Sequence, residues 1–483
     1  MSISFAPGYG LLAVGFYAVC IGLVLVLIYE ERDPSTTLAW ALLFVLFPGF
    51  GVLLYVLFGR NWRNIGGGDR KRTAALAAGH SMLVPIYARF ADKAAAHIGT
   101  SEPIVGRLVS ALNAQNQTCP LPCGDVEIFF QGADKFARLF ADIEAATDHV
   151  HLNYFIWEQD ELTRRFCDLL AEKLKQGVEV RVMYDWVGSL LYGKHQLRRL
   201  RRAGAHVTAD AAKWQKLNCR NHRKIAVIDG CIGYTGGMNM GQEYIDGKPR
   251  YESWRDTHVR FTGPLVVELQ RLFCERWVRT AHEALFSARY FPQVEAPADG
   301  DTVWAQIVHS GPESQWLAVR NAYLLAISSA RERIRIQSPY FVPDGGVEGA
   351  LNAQCLGGVD AQLMMTGVPD KKIAWWAAFT YIDDFVEAGG RVALYEAGFF
   401  HPKTMTIDSE IAVIGTTNFD VRSFELHDEL SIFFYSPSIA EELDAMFEAD
   451  RERCSEVTME LIEAIKPRER MRNALARLNS RLL

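Results

Sequence analysis

Two stretches of equal length decide the fold of this protein: HRKIAVIDGCIGYTGGMN at residues 222–239 and HPKTMTIDSEIAVIGTTN at residues 401–418. Both fit the spacing H-x-K-x4-D-x6-G-x2-N. Ordinary residue usage would give such a match on the order of 10⁻⁷ per starting position. Two matches in one chain therefore indicate an internal duplication with a polar site in each copy.

Each stretch predicts a β-hairpin. His222 and Lys224 are two residues apart, so on a strand both side chains project from the same face. The apolar run that follows ends at Asp229, where a turn is expected, and the returning strand brings Asn239 back beside the His-Lys pair. In the second copy the same positions are held by His401, Lys403, Asp408 and Asn418.

The same order of helices and strands surrounds both stretches. Apolar strands at 151–156 and 178–183 have counterparts at 334–336 and 359–365, and longer helical stretches separate them. Such alternation predicts an α/β fold with a sheet flanked by helices in each half. Pro and Gly cluster near 293–301, where the halves divide. We therefore predict two duplicated sandwich domains with pseudo-twofold symmetry at 103–295 and 296–465, after a linker at 61–102 and before a basic tail at 466–483.

The N-terminus is far more apolar than the rest of the chain, because no charged residue occurs at 1–29 or at 34–59. Each run exceeds the roughly 20 apolar residues that cross a bilayer. We therefore predict a two-helix transmembrane hairpin at 1–60, with spans at 10–29 and 38–58. A cleaved signal peptide is the alternative, but the start carries no Lys or Arg and a second apolar run follows at once.

Charges on the two sides of the hairpin predict its orientation. The turn Glu30–Asp33 is acidic, and the second span is followed by the basic residues Arg60, Arg63, Arg70, Lys71 and Arg72. Positive charge marks the cytoplasmic side, so the catalytic body is expected in the cytoplasm. The nine cysteines are odd in number and scattered, as expected in a reducing compartment.

Composition limits the classes of protein to which the chain can belong. It has 483 residues, of which 49% are hydrophobic, and a net charge of -6 with a pI near 6.1. That length requires more than one packed unit, and that hydrophobic content excludes disorder. Proteins that bind nucleic acid usually carry a net basic domain, so no nucleic-acid partner is expected.

Two His, two Lys and two Asn around one pocket suit a phosphodiester. The Lys ammonium groups and Asn amides would stabilise charge on the non-bridging oxygens. One neutral imidazole would attack phosphorus, and the other, protonated, would give its proton to the leaving oxygen, which produces a phosphohistidine. This scheme needs no metal ion and no cofactor, and no dense carboxylate cluster surrounds the motifs.

Four acidic residues complete the candidate site. Asp229 and Asp408 belong to the motif and are included with the catalytic residues, although their position at the turn favours a structural role. Asp256 and Glu429 would orient the two imidazoles through Nδ1. Either could equally be a surface carboxylate, and their neighbours in the sequence do not decide between the two roles.

At these residues the chain resembles the phospholipase D superfamily, and within it the bacterial cardiolipin synthases. Segments outside the motifs make the resemblance specific: residues 31–40, Tyr154–Trp157, Trp254–His258, Ser338–Pro343 and Arg481–Leu483. The resemblance implies two phospholipase D-like domains at the bacterial inner membrane, which convert two molecules of phosphatidylglycerol to cardiolipin and glycerol. Membrane lipids would then be the partners of the protein, and its oligomeric state is left open.

The resemblance also assigns roles to the residues of the site. His222 and His401 would be nucleophile and general acid/base, with family precedent favouring His222 as the nucleophile. It supports Asp256 and Glu429 as the acids that orient these histidines. Phosphate binding falls to Lys224, Lys403, Asn239 and Asn418.

Other functions share the motif. A phosphodiesterase of this superfamily would hydrolyse a phospholipid or a nucleic acid, and its product from phosphatidylglycerol would be phosphatidic acid. A synthase could also use phosphatidylethanolamine as donor or acceptor. A non-catalytic envelope protein would have no need of intact His, Lys and Asn in both copies.

Three further features depend on the fold for their meaning. His427 stands where relatives commonly have Asn, which adds an imidazole near the site. Either an apolar entrance that excludes water or ordinary core packing would explain the aromatic residues Trp375, Trp376, Phe379, Phe399 and Phe400. The basic tail would either lie on anionic lipid or present a solvated helical face.

Overall fold

The computed structural model describes residues 7–30, 34–59, 70–99, 103–116, 118–189, 195–210, 218–295 and 302–480. The helices that precede the first sheet are α1 (Pro7–Tyr29), α2 (Pro34–Leu46), α3 (Pro48–Leu54), α4 (Arg70–Gly99) and α5 (Pro103–Asn116). A π-helical turn at Tyr55–Gly59 follows α3. Among the described residues, no helix is both long enough and apolar enough to cross a membrane.

The predicted N-terminal hairpin is helical, but its second part is not one continuous helix. α1 covers the first predicted span, whereas the second is divided between α2 and α3 at Pro48. Proline lacks a backbone N–H and fits the first turn of a helix, so a new helix begins there. These helices pack through a small buried cluster: Cys20, Leu27, Phe44 and Tyr55. Residues 31–33 and 60–69, whose charges enter the predicted orientation, lie outside the described residues.

The first half of the body builds a seven-stranded sheet. The strands of this half, of which the short β1 and β8 lie outside the sheet, are β1 (Leu121–Pro122), β2 (Val126–Phe129), β3 (His149–Tyr154), β4 (Glu179–Asp185), β5 (His206–Asp210), β6 (Ile225–Ile228), β7 (Ile232–Gly236), β8 (Trp254–Arg255) and β9 (His258–Thr262). The helices are α6 (Gly132–Ala145), α7 (Glu161–Lys175), α8 (His195–Arg202), α9 (Glu243–Asp246) and α10 (Val266–Ala281). The strand order is β2-β9-β7-β6-β3-β4-β5, and β6 and β7 form the predicted hairpin of the first motif.

The second half builds a nine-stranded sheet. The strands of this half, of which the short β12, β15 and β18 lie outside the sheet, are β10 (Trp304–Ser310), β11 (Arg333–Gln337), β12 (Phe341–Val342), β13 (Asp360–Thr366), β14 (Arg391–Tyr395), β15 (Phe399–Phe400), β16 (Thr404–Ile407), β17 (Ile411–Gly415), β18 (Phe419–Asp420), β19 (Glu429–Tyr435) and β20 (Cys454–Val457). The helices are α11 (Ala318–Ser329), α12 (Gly345–Leu356), α13 (Lys372–Glu387), α14 (Val421–Glu425), α15 (Pro437–Arg451), α16 (Met459–Glu463) and α17 (Pro467–Arg477). The strand order is β1-β10-β19-β17-β16-β11-β13-β14-β20.

The two sheets repeat each other strand for strand. The order β2-β9-β7-β6-β3-β4-β5 corresponds to β10-β19-β17-β16-β11-β13-β14, and the second sheet adds β1 and β20 at its edges. Parallel pairs occur at the same places, between β3, β4 and β5 in one sheet and between β11, β13 and β14 in the other. The predicted α/β fold of two duplicated domains is confirmed.

Local sequence explains how a typical helix of this scaffold begins and ends. At the start of α7 the side chain of Asp160 accepts a hydrogen bond from the Thr163 backbone N–H at 2.8 Å, which satisfies a free donor of the first turn. Phe166 and Leu170 recur four residues apart and bury the inner face. The chain turns away just after α7 at Gly177, whose φ of 90° favours glycine.

One apolar core joins the two halves. Val259 and Phe261 of β9 are buried in the same cluster as Ile432 and Phe434 of β19, the equivalent strand. Because side chains from both sheets fill this space, the halves are packed on each other and cannot move independently without exposing it.

The segments before the first sheet also contribute to the body. The predicted linker at 61–102 is mostly α4, an Ala-rich helix whose Leu83 and Phe90 are buried in the shared core. α5 buries Leu112 against the second half, and β1 pairs with β10. The boundary predicted at residue 103 assigned α5 and β1 to the first domain, whereas they pack on the second.

Candidate active site

Parallel pairing between the halves positions each motif histidine. β8 and β15 pair in register, Arg255 opposite Phe400, and the backbone N–H of His401 donates to the Arg255 carbonyl at 2.8 Å. His401 therefore lies beside Asp256. In the other half Asn221 and Asp428 form an isolated parallel β-bridge. This bridge brings the residues that follow them, His222 and Glu429, together in the same way.

Each imidazole is bonded to a carboxylate of the opposite half. His222 Nδ1 lies 2.9 Å from Glu429 Oε1, and His401 Nδ1 lies 2.7 Å from Asp256 Oδ2. Both carboxylates are buried, as expected of residues that fix a histidine. An Nδ1–H that donates to the carboxylate leaves Nε2 with its lone pair, free to attack or to carry a proton.

The two lysines are buried beside the histidines. Lys224 Nζ donates to the His222 carbonyl at 2.7 Å, and Lys403 Nζ donates to the His401 carbonyl. Burial is the main cause that lowers the pKa of Lys224 to about 7 and that of Lys403 to about 8, while Asp256 and Glu429 act in the opposite direction. Positive charge held this close to the imidazoles would attract an anion.

Both histidines are neutral when the site holds no anion. Burial, and then the charges of Lys224 and Lys403, place the pKa of His222 well below its usual range. Burial and Lys403 lower the pKa of His401 to about 4, against the raising effect of Asp256. A bound phosphodiester anion would offset the positive potential and raise both pKa values, so that one imidazole can carry a proton only when substrate is present.

The two motif asparagines lie in different surroundings. Asn239 Oδ1 accepts from the Ile156 backbone N–H at 3.2 Å, and its Nδ2 donates to the Tyr244 hydroxyl at 3.2 Å. Asn418 is also buried, and its Oδ1 has no hydrogen-bond partner within the part of the chain that the structure describes. The sequence predicted one role for the pair, and phosphate binding by either stays a prediction.

The two motif aspartates hold the scaffold together. Asp229 accepts hydrogen bonds from the backbone N–H groups of residues 147–149 at 2.7 to 2.9 Å, and Asp408 does the same for residues 331–333 at 2.8 to 2.9 Å. Burial alone would raise the pKa of Asp229, but these donors outweigh it and lower the pKa. Each aspartate ties a motif turn to the start of the neighbouring strand, which is the structural role that its position at the turn favours, and a catalytic role for either stays a prediction.

Replacing Asp408 by Ala is therefore expected to destabilise the fold. The change leaves three backbone N–H groups at the start of β11 without their acceptor, and we expect a loss of about 2–4 kcal/mol in the free energy of unfolding. Thermal unfolding of the purified protein measures it. Glu172→Ala, which removes an exposed carboxylate from a surface ion pair, is the control and should change stability little. An unchanged melting temperature for Asp408→Ala would contradict the structural role.

His427 lies next to the nucleophile candidate but carries no charge. Its ring centre is 5.7 Å from that of His222, and its Nδ1 is 3.7 Å from Glu429 Oε1. Burial lowers the pKa of His427 to about 3. Among the described residues, His222, His427 and Glu429 are the group whose donor atoms, within 4.8 Å of one another, could hold a metal ion. The ammonium groups of the two lysines oppose a cation there.

Replacing His427 by Asn should therefore leave the shape of the pH-rate profile unchanged. The imidazole of His427 is already neutral throughout the working pH range, so its replacement removes no titrating group from the profile. The measurement is kcat/KM against pH for both proteins. A limb that moves by about one pH unit or more would show that His427 titrates during the reaction.

Sequence reasoning missed two contacts of the site. The Thr416 hydroxyl donates to Glu429 Oε2, the oxygen that His222 does not use. The ring of Phe155 lies 4.9 Å from that of His222 and 5.6 Å from Lys224 Nζ. Thr416 falls at a variable position of the motif, and Phe155 follows β3, far from both motifs along the chain, so the motif spacing marked neither contact.

The aromatic residues near the second motif do not all face an entrance. Phe399 and Phe400 are buried, and the Phe399 ring stacks 5.5 Å from that of His401. Of the two alternatives, ordinary packing is the one that the burial of Phe399 and Phe400 favours. Trp375, Trp376 and Phe379 are half-buried on α13.

The duplicated fold and the crossed histidine–carboxylate pairs define a member of the phospholipase D superfamily. The family model described as "Cardiolipin synthase, PLD-like domain" matches residues 139–273 and 323–451, and the one described as "Phospholipase_D-nuclease N-terminal" matches residues 18–60. The chain belongs to the cardiolipin synthase family.

Relatives of known name cover nearly the whole chain. The major cardiolipin synthase ClsA of Bacillus subtilis is 38% identical over 90% of this chain and 91% of its own length. The cardiolipin synthase of Oceanobacillus iheyensis is 35% identical over 97% of this chain and 98% of its own. The crystal structure of phosphatidylserine synthase from Haemophilus influenzae aligns with a TM-score of 0.61 at 14% identity, over 78% of this chain and 100% of that chain. That likeness shows a shared fold.

Proposed function

We propose that this protein is a cardiolipin synthase, which transfers the phosphatidyl group of one phosphatidylglycerol to a second and releases glycerol. The observation that carries the proposal is the crossed arrangement, in which His222 bonds Glu429 and His401 bonds Asp256 beside two buried lysines. Two oriented imidazoles with two cations supply what a double displacement at phosphorus requires.

The first step forms a covalent intermediate. His222 Nε2 attacks phosphorus, the bond from phosphorus to the glycerol oxygen breaks, and protonated His401 gives its proton to that oxygen. Glycerol leaves, and the phosphatidyl group stays on His222. Lys224 and Lys403, with Asn239 and Asn418, bind the non-bridging oxygens as negative charge develops on them.

The second step reverses the roles. Neutral His401 takes a proton from a hydroxyl of the second phosphatidylglycerol, its oxygen attacks phosphorus, and the bond to His222 breaks. Cardiolipin leaves, His222 is restored, and the proton again resides on His401. Protons and bonds therefore balance over the cycle.

Transfer must compete with hydrolysis by water at ~55 M. The side chains of the site are almost wholly buried, Lys224 at 0% and Lys403 at 2% exposure, so little room is left for bulk water. A lipid hydroxyl held beside the intermediate has a large effective concentration, in principle 10⁵–10⁸ M for ideal alignment. Hydrolysis to phosphatidic acid, or use of phosphatidylethanolamine as co-substrate, is the competing function.

The N-terminal helices would hold the enzyme at the bacterial inner membrane, with the catalytic domains on the cytoplasmic side. Large apolar side chains of α1, α2 and α3 are exposed to solvent, which lipid would cover: Ile21, Leu25, Ile28, Leu42, Leu46, Phe50 and Leu53. Protein that stays with the membrane pellet after alkaline extraction, and is released when residues 1–59 are deleted, would support a multi-pass anchor.

The decisive experiment reconstitutes the full chain in liposomes of phosphatidylglycerol with a chelator and follows cardiolipin, glycerol and phosphatidic acid. Cardiolipin and glycerol in equal amounts are expected. Phosphatidic acid as the sole phospholipid product would make the protein a hydrolase. Loss of activity on addition of chelator would contradict the metal-free scheme.

A further inference from the structure

The last helix of the described chain has an apolar face in solvent. Met471, Leu475 and Leu478 follow one another at spacings of four and three residues, so they lie on one side of α17 and its C-terminal cap. Their exposed fractions are 63%, 56% and 81%. We call these three side chains the α17 face. Three neighbouring large apolar side chains left in water mark a surface that another apolar phase covers.

The opposite side of α17 is already packed on α13. The guanidinium of Arg472 lies 4.7 Å from the centre of the Trp376 ring, and that of Arg477 lies 4.4 Å from the Tyr381 ring. From the first contact to the second, the position moves toward the C-terminus by the same number of residues on each helix. The helices α17 and α13 therefore run parallel. Rotation of α17 to bury its apolar face would break these contacts.

Positive charge frames the α17 face. Lys466, Arg468 and Arg470 are exposed, and Glu469 is the one acidic residue between Lys466 and Leu478. An apolar stripe flanked by cations matches the surface of an anionic bilayer, because the apolar side chains enter the acyl boundary while the cations contact lipid phosphates.

The same end of this helix pair lies near the active site. The Pro369 carbonyl, just before α13, accepts a hydrogen bond from Arg250 at 2.9 Å, in the segment that leads into β8. Lys371, the N-cap of α13, contributes in addition to the lowered pKa of His222, after burial and the nearer cations. Because the helices are parallel, the first turn of α17 lies toward the same end. A bilayer on the α17 face would therefore adjoin the end of α13 that lies near the active site.

We propose that the α17 face docks on an anionic phospholipid bilayer and holds the active site against the surface that supplies its substrate. The identity of that substrate rests on the proposed function, whereas docking itself does not. The N-terminal helices would tether the body, and the α17 face would set its orientation.

Depth of insertion tests docking without reference to catalysis. Leu475→Cys and, as control, Leu356→Cys, which is 76% exposed on α12, are labelled with a fluorophore in the full chain. Both are reconstituted in vesicles of phosphatidylglycerol and phosphatidylcholine, with labelled unsubstituted protein as the background for native cysteines. Brominated lipids should quench the label at 475 at least about twofold more than the label at 356.

Equal quenching at the two positions would overturn the proposal. Crosslinks between 475 positions of two molecules, without quenching, would identify a second copy of the chain as the occupant and would also overturn it. Either result leaves the proposed function untouched, because no product is measured.

Activity provides a second readout. Met471→Glu combined with Leu475→Glu should lower the rate on phosphatidylglycerol bilayers roughly fivefold to tenfold relative to the rate on a dispersed short-chain phosphatidylglycerol. Leu356→Glu should leave that ratio unchanged. A parallel fall of both rates in the double variant would show that α17 serves the fold and would contradict docking, whereas no activity in any protein would contradict the proposed function.

Discussion

His222→Ala and His401→Ala are each expected to lower the rate of cardiolipin formation by about 10⁴-fold or more. Neither half can substitute for the other, because each imidazole is bonded to its own carboxylate and has its own step in the cycle. Product formation in proteoliposomes measures the loss. His195→Ala, which removes an exposed histidine from α8, is the control and should retain full activity.

The two histidine variants should differ when the leaving group needs no proton. With a nitrophenyl ester of phosphatidic acid, His401→Ala should still release nitrophenol in a burst and form an acid-labile phosphoprotein, since general acid catalysis is then unnecessary. His222→Ala should give neither. The opposite pattern would make His401 the nucleophile, and a burst in both variants would contradict covalent catalysis by these residues.

Glu429→Gln and Asp256→Asn are expected to cost about 10² to 10⁴-fold in kcat. Each amide keeps the size of the side chain but can present its NH₂ to the imidazole Nδ1. This contact stabilises the tautomer that carries its proton on Nε2, so Nε2 has no lone pair with which to attack or to accept a proton. Each change removes support from the histidine of the opposite half. The loss should therefore appear in kcat more than in KM, because the lysines that bind phosphate remain.

Double variants test which histidine each carboxylate serves. Glu429→Gln should add almost nothing to the loss in His222→Ala, and Asp256→Asn should add almost nothing to the loss in His401→Ala, because residues in one hydrogen-bonded pair are not additive. The control is Asp428→Asn, a carboxylate one residue away that pairs instead with Arg276 at 3.1 Å. Equal losses from Asp428→Asn and Glu429→Gln would show a general effect of charge.

Much of this site could be read from the sequence because its geometry is local. A strand places His222 and Lys224 on one face, and a turn at Asp229 returns the chain, so the hairpin β6–β7 follows from alternation and turn chemistry. The duplication was visible as a repeated spacing. The break at Pro48 and the helix α4 in place of a linker were not expected, since apolarity and Ala content specify helix without specifying where it packs.

The sequence by itself determined the fold class, the motif residues and the phosphodiester chemistry, because each depends on neighbours within one hairpin. The tertiary structure alone decided how the histidines are held, since Glu429 is 207 residues from His222 and Asp256 is 145 residues from His401. No local period links residues so far apart. The packing of one duplicated sheet on the other brings each carboxylate to its histidine. It also leaves Asp229 and Asp408 at the turns, apart from the two carboxylates that touch the imidazoles.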